Sequence, residues 1–406
     1  MYHPRALRAA WLKASRQFPA LLLTGARQVG KTTFLRHLCE KSRSYVTLDD
    51  LRLRELACSD PPLFLQRYGT PLLIDEIQYA PELLPYIKMA IDADRAPGRY
   101  WLTGSQQFST MQGVSETLAG RVAILNMLGF SRRERLRLAP RRKGFLPGRT
   151  NSLPKSDSGE SLRETYKAIW RGGFPELVAP AAPPGRDLFF SSYLQTYLQR
   201  DIRDLAQVGD EMAFTRFIRA SAARTGQLLN LADLARDADV SIPTAKRWLS
   251  VLEASFQVFL LPPWHSNVTK RFVKTPKLYF LDTGLAAYLT EWTDPATLEA
   301  GAMSGAVFET YVLGEILKGY WSLGQKPPLY FYRDRDGREI DFLFHVNDTL
   351  YPVEVKKSAS PRPEHTQSFK ALDRLKKPVG HGAVVCLIDR PLPLDRQTEA
   401  LPVEVL

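Results

Sequence analysis

Short apolar runs and helix-spaced stretches alternate along the first part of the chain. Residues 20–24 (Ala-Leu-Leu-Leu-Thr) form a continuous apolar run of strand length. Residues 33–38 have the spacing of an amphipathic helix. Further strand-like runs cover residues 45–50, 71–76 and 100–105, each ending in polar or small residues. Strands that alternate with helices over this length predict an α/β domain built on a parallel sheet.

The middle of the chain reads differently. Residues 131–149 are dense in arginine, and residues 150–161 have the composition of a loop. Residues 230–238 predict a short capped helix opened by Asn230. A turn follows at 239–244, then apolar residues recur at helical spacing over 244–254 and a strand runs over 256–261 up to Pro262-Pro263. Helix, turn, helix, strand is the outline of a winged helix. Near the end, 305–313 is helical, 338–344 closes a hairpin turned at Asp336-Gly337, and 351–357 is a strand.

Composition narrows the classes. The chain has 406 residues, of which 44% are hydrophobic, enough for two to four packed domains. No apolar run is long enough to span a bilayer, and the N-terminal segment lacks the apolar stretch of a secretion signal. Cys39, Cys58 and Cys386 lie far apart, which excludes a disulfide frame or a zinc motif and suits a reducing cytoplasm. The formal net charge of +12 favours a polyanionic partner, DNA foremost.

Three places carry chemistry. Gly25-Ala26-Arg27-Gln28-Val29-Gly30-Lys31-Thr32 matches G-x-x-x-x-G-K-[ST] at every fixed position, between a strand and a helix start. Such a turn aims backbone N–H groups at phosphate oxygens. Lys31 is placed to reach the β/γ-phosphates of ATP, the Thr32 hydroxyl to ligate Mg²⁺, and Thr33 to extend the cradle. Asp75 and Glu76 end the run at 71–76. Asp75 is the second Mg²⁺ group, and Glu76 is the group that orients the attacking water. Ser105 or Gln106 fits a γ-phosphate sensor. Arg121 fits either a stabiliser of transition-state charge, in cis or from a neighbouring subunit, or a plain surface arginine.

In the middle, Thr244, Lys246 and Arg247 fall on the face of the second helix that a DNA major groove would accept, although such modules also serve protein contact. The arginines of 131–149 fit either DNA phosphate contact or a solvated basic face. At the end, Glu309 lies on a helix, and Asp341 precedes Glu354 by 13 residues on strands joined at Asn347-Asp348. Glu354 and Lys356 share one face of their strand by period-2 alternation. Two carboxylates and a lysine suit metal-assisted attack on a phosphodiester, and equally a salt-bridged strand.

The blocks GARQVGKTT, YVTLDD, LLIDEIQ, WLTGSQQF and TLAGR together are similar to prokaryotic AAA-type P-loop ATPases. The later blocks YLQRDI, KLYFLDTGL and Phe308-Glu309 with Glu315 resemble the C-terminal domain of unknown function 4143 found in one branch of that family. The resemblance runs over nearly the whole chain. It implies an AAA+ core over 1–130, a helical lid with a basic insert over 131–205, a winged-helix region over 206–275, and an α/β domain over 276–406. The Asp341, Glu354 and Lys356 arrangement resembles the PD-(D/E)XK nuclease core. By that resemblance Asp341 and Glu354 would ligate Mg²⁺, Glu309 would assist from its helix, and Lys356 would activate water. The expected function is a Mg²⁺-dependent ATPase that acts on structured or branched DNA and couples to this domain, in a homo-oligomer and away from membranes. The rival is an ATP-gated switch whose C-terminal fold binds without chemistry.

Overall fold

The computed structural model describes residues 2–105, 117–149, 161–180, 182–197, 210–266 and 275–406. Its first unit is a parallel sheet in the order β2-β3-β4-β1-β5. The strands are β1 (Ala20–Thr24), β2 (Ser44–Thr47), β3 (Leu72–Asp75), β4 (Tyr100–Gly104) and β5 (Val122–Asn126). Period-2 alternation sorts their side chains between two faces. Leu22, Ile74 and Leu102 pack with Phe64, Leu84, Ile87 and Ile91 from the helices Pro61–Tyr68 and Leu83–Ala93. Leu21, Leu23, Leu73 and Trp101 face the other way, against Trp11, Phe34 and Leu35. Both faces are covered, which is why these strands read as unbroken apolar runs.

The second apolar layer does not stop at the first unit. The same cluster continues through Phe190, Phe217 and Trp248 to Phe308, Phe342, Val353 and Leu406. The middle region contributes helices Leu162–Arg171, Arg186–Tyr197, Glu211–Ala223, Leu231–Ala238 and Ile242–Ala254. It also carries a small antiparallel sheet in the order β6-β8-β7, with β6 (Gln227–Leu228), β7 (Val258–Leu261) and β8 (Lys277–Phe280). The helix expected from residue 244 starts two residues earlier. Ser241 caps it by accepting from the Thr244 N–H, and Pro243 sits in the first turn, where no amide partner is needed.

The last unit is a mixed sheet in the order β13-β14-β12-β11-β10-β9. Its strands are β9 (Leu329–Arg333), β10 (Glu339–Val346), β11 (Thr349–Val355), β12 (Gly382–Cys386), β13 (Leu392–Pro393) and β14 (Thr398–Pro402). β10 and β11 are antiparallel, and their turn residues Asn347 and Asp348 both take positive φ, at 49° and 62°. That is the tight two-residue hairpin such residues favour. The helix Ser304–Trp321 packs its apolar residues into the same cluster.

Three of the arginines after residue 130 are held by the protein itself. Arg132 is buried and paired with Glu404, Arg133 donates to the Ala139 carbonyl, and Arg141 donates to the Leu406 carbonyl at 2.6 Å. Phe145 stacks edge-on against Phe344, and its carbonyl accepts from the Tyr320 hydroxyl at 2.9 Å. The segment over 131–149 is therefore glued to the last unit, with Arg137, Arg142, Lys143 and Arg149 exposed. The loop expected over 150–161 lies outside the described residues except for Ser161, which caps the next helix. No described helix is long and apolar enough to cross a membrane.

Candidate functional sites: the phosphate loop and the C-terminal acidic cluster

The turn after β1 lies at the C-terminal edge of the parallel sheet, where ligands of open α/β sheets bind. Its backbone takes left-handed values at Gln28 (φ 59°) and Gly30 (φ 86°). Gly25 has φ 152°, and a Cβ there would lie 2.0 Å from the Met127 carbonyl oxygen, so only glycine fits. The helix Lys31–Leu38 starts directly after Gly30, so its free N–H groups open onto the turn. Arg5 fastens the turn from behind. It donates to the carbonyls of Val29 (3.0 Å) and Leu128 (2.5 Å) and pairs with Glu134 at 3.0 Å.

Lys31 is buried and its ammonium donates to the Gly25 and Ala26 carbonyls, both at 2.8 Å. The Thr32 hydroxyl donates to Asp75, 2.9 and 3.0 Å from its two oxygens. A hydroxyl and a carboxylate in contact are the hard oxygen donors that Mg²⁺ takes, so the residues present fit the Mg²⁺–nucleotide expected here. The Tyr45 hydroxyl reaches Asp75 at 3.3 Å; burial and the Asp75 charge push its pKa up to about 12.

Glu76 stands in the left-handed region at φ 59°. A non-glycine residue held there stores strain of about 1–3 kcal/mol, which the surroundings must impose. Thr103 on β4 contributes to holding it, together with the Tyr79 amide on the Glu76 carbonyl. The Thr103 hydroxyl donates to Asp75 Oδ1 at 2.5 Å and accepts from the Glu76 N–H at 3.0 Å. The Glu76 carboxylate accepts from the Gln78 side chain, which also lies 3.2 Å from the buried Ser105 hydroxyl. Thr103 and Gln78 are absent from the sequence reading. The one available signal was the polar ending of the run at 100–105. Gln106 lies outside the described residues.

Arg121 stands apart from this loop. It pairs with Asp92 at 2.7 Å, just ahead of β5. The β1–β5 register pairs Ala20 with Val122 and Thr24 with Asn126. Arg121 therefore lies at the far end of the sheet from the phosphate loop, about 13 Å away along the strand at about 3.3 Å per residue. It supplies no charge to this loop in cis.

Lys246 and Arg247 are exposed on the helix Ile242–Ala254, and Thr244 is half-buried beside its cap. The opposite side of that helix buries Ala245, Trp248 and Leu249.

Glu309, Asp341, Glu354 and Lys356 come together at the last sheet. Asp341 Oδ2 accepts from the Val355 N–H at 2.9 Å. Lys356 lies 2.7 Å from Glu354 and 3.9 Å from Asp341. Glu354 also accepts from the Ser368 hydroxyl at 2.5 Å. Burial, then the Asp341 charge, lifts Glu309 to about 7 and Glu354 to about 8 against the opposing pull of their lysine partners.

The expected Mg²⁺ ligands Glu309, Asp341 and Glu354 do not form a metal cage. Among the described residues, no group of three or more His, Cys, Asp or Glu is arranged to hold a metal ion. A lysine to which the sequence assigned no role, Lys277, stands among these acids. Its ammonium, from β8, lies 3.1 Å from Glu309, 2.6 Å from Glu339 and 3.8 Å from Asp341. Burial alone would lower its pKa, but these acids outweigh burial and hold it above its ordinary value.

Three family models match the chain: an AAA domain over residues 17–136, a domain of unknown function (DUF8612) over 162–296, and a domain of unknown function (DUF4143) over 304–406. Two curated relatives, the uncharacterized proteins Rv2008c of Mycobacterium tuberculosis and Mb2031c of Mycobacterium bovis, are each 31% identical over 354 residues. Those residues are 86% of this chain and 73% of each relative. Among solved structures, a Thermotoga maritima RuvB variant aligns at 17% identity over 63% of this chain and 86% of its own, with a TM-score of 0.29. Drosophila ORC bound to DNA aligns at 13% identity over 70% and 84%, with a TM-score of 0.23. Likenesses that loose carry no argument about this chain. The matched models and the mycobacterial relatives show the family: the chain belongs to the AAA-type P-loop ATPases that carry a C-terminal DUF4143 domain.

Proposed function

We propose that this chain is a Mg²⁺-dependent ATP hydrolase directed at DNA, structured or branched, and that it passes the state of its phosphate loop to its C-terminal domain. The contact between Thr32 and Asp75, beside Lys31, carries the ATPase half of this reading. Lys31 would exchange the Gly25 and Ala26 carbonyls for phosphate oxygens. The N–H groups from Gly25 through Thr33 would orient the triphosphate. Thr32 and Asp75 would hold Mg²⁺, which when bound neutralises charge on the phosphates. Glu76, fixed by Thr103, would orient water and take up its proton.

DNA is favoured by the net charge of +12 and by Lys246 and Arg247, exposed on a capped helix of winged-helix outline. Nothing there reads as a base code, which favours DNA shape over sequence. Coupling has a material route. Gly25 presses on Met127, Arg5 ties Val29 to Leu128, and the Phe130 carbonyl accepts from Lys318 at 3.1 Å. Glu315 accepts from the Arg132 N–H at 2.8 Å. Glu315 and Lys318 share the helix Ser304–Trp321 with Glu309, the first of them about 9 Å along the axis at about 1.5 Å per residue. A movement of the loop would reach the acidic cluster through these contacts and one rigid helix.

The deciding experiment compares ATP turnover without DNA and with linear duplex, single-stranded and four-way junction DNA. Stimulation, greatest with the junction, is expected, and Lys31→Ala should abolish turnover in every arm. Equal rates with and without DNA would remove DNA as the effector. A second reading has the Lys277 contacts in its favour: the C-terminal fold binds without cutting. Mg²⁺-dependent cleavage that disappears in Asp341→Ala or Lys356→Ala would refute it.

A further inference from the structure

Every carboxylate of the C-terminal cluster is already answered by a donor of the protein itself. Tyr279 and Lys277 meet Glu309 at 2.5 and 3.1 Å, Lys277 meets Glu339, the Val355 amide meets Asp341, and Lys356 with Ser368 meets Glu354. Divalent magnesium or calcium needs about six or more oxygen ligands at about 2.0–2.6 Å. Here the position nearest to Glu309, Glu339 and Asp341 together holds an ammonium group.

That ammonium is not a surface side chain that swings away at will. The Lys277 side chain is 3% exposed, and its backbone is pinned on β8 opposite Leu228 and Leu261. β8 belongs to the small middle sheet, not to the sheet that carries Asp341 and Glu354. The two sheets are stitched by a parallel bridge between Pro263 and Phe331, with Trp264 N–H donating to the Phe331 carbonyl at 2.6 Å. A buried ammonium without counter-charges is strongly unfavourable, and so is a knot of carboxylates without a cation. Each feature accounts for the other. A second cation brought among the same acids would be repelled by the first at close range in a poorly screened site.

We propose that Lys277 is the resident cation of this cluster, lent by the middle sheet, and that it keeps divalent metal out of the nuclease-like site. The site then opens to metal only if β8 withdraws from the last sheet. This inference is independent of the ATPase and DNA readings, because metal occupancy of the cluster can be read without nucleotide or DNA.

The test titrates the nucleotide-free full-length chain with Mn²⁺ and follows free Mn²⁺ by electron paramagnetic resonance. Four proteins are compared: the natural chain, Asp341→Asn, Lys277→Met, and Lys277→Met with Asp341→Asn. Any Mn²⁺ held near Thr32 and Asp75 is common to all four and cancels. The natural chain and Asp341→Asn should bind the same amount. Lys277→Met should bind one further Mn²⁺ per chain, and the double variant should lose it again. A drop in Mn²⁺ binding on Asp341→Asn alone would overturn the proposal, as would no gain in a folded Lys277→Met. If Lys277→Met does not fold, a drop in Mn²⁺ binding on Asp341→Asn alone still overturns the proposal.

Discussion

Replacing Thr103 by valine deletes one hydroxyl and keeps the shape of the side chain. Thr103 is fully buried on β4, so no water replaces what is lost. Two bonds go: the 2.5 Å donation to Asp75 and the 3.0 Å acceptance from the Glu76 amide. Asp75 keeps Thr32 and Tyr45 as partners, so its loss is modest. The Glu76 N–H keeps none from Thr103, and an amide orphaned in a covered position costs about 1–3 kcal/mol. The expected fall in unfolding free energy is therefore about 1–3 kcal/mol. The catalytic effect should be separate. Without Thr103, only the Gln78 side chain and the Tyr79 amide still oppose relaxation of Glu76 out of its left-handed conformation. A misplacement that costs about 1.4 kcal/mol in the transition state slows turnover about tenfold. ATP affinity should change less, because Lys31, Thr32 and the loop amides are untouched. Urea melts, nucleotide binding and steady-state hydrolysis on one preparation measure all three. A variant with natural turnover and an unshifted melt would refute the assignment of Thr103 as the positioning residue for Glu76.

Arg5→Ala should weaken the phosphate loop from behind by leaving the Val29 and Leu128 carbonyls unpaired, at about 1–3 kcal/mol each where no water reaches them; an unchanged thermal melt and nucleotide affinity would contradict this. Arg121→Ala should leave hydrolysis by isolated chains unaltered, since the residue is held by Asp92 at the far end of the sheet; reduced turnover that appears only at concentrations where chains associate would assign Arg121 a role across an interface. Glu354 titrates near 8 in the folded chain and near 4.5 as an ordinary carboxyl, so folding favours its protonated form. Its contribution to stability is complete below about 4.5 and is lost as pH rises through 8. Melts between pH 5.5 and 8.5 should show a falling midpoint, and Glu354→Gln should flatten that slope; an equally steep slope in the variant would rule out Glu354 as its source.

The phosphate loop and the acids at 75–76 were legible because their chemistry is local: contiguous residues on one turn, or at one strand end. The β10–β11 hairpin was legible for the same reason, through Asn347-Asp348. Thr103 was not, since its partners Asp75 and Glu76 lie on another strand and meet it only through sheet order. Lys277 was hidden more deeply. It precedes Glu309, Glu339 and Asp341 by dozens of residues and reaches them from a different sheet. The arginines of 131–149 show the converse limit. Charge density along a chain does not say which guanidinium groups are covered, and Arg132 and Arg141 are spent on Glu404 and Leu406. The alternatives for Arg121 stayed open in the sequence because a motif-like neighbourhood carries no information about which end of a strand it occupies.

One apolar cluster runs from Leu7 beside the first sheet to Leu406 at the last residue. The two halves are thus not beads on a string that a protein engineer can cut apart. A fragment ending at residue 149 would strip Phe344 from Phe145, turn that ring toward water and be prone to clump. The same seam restrains evolution: substitutions on one side must be tolerated by the other, and domain shuffling at this join would be penalised.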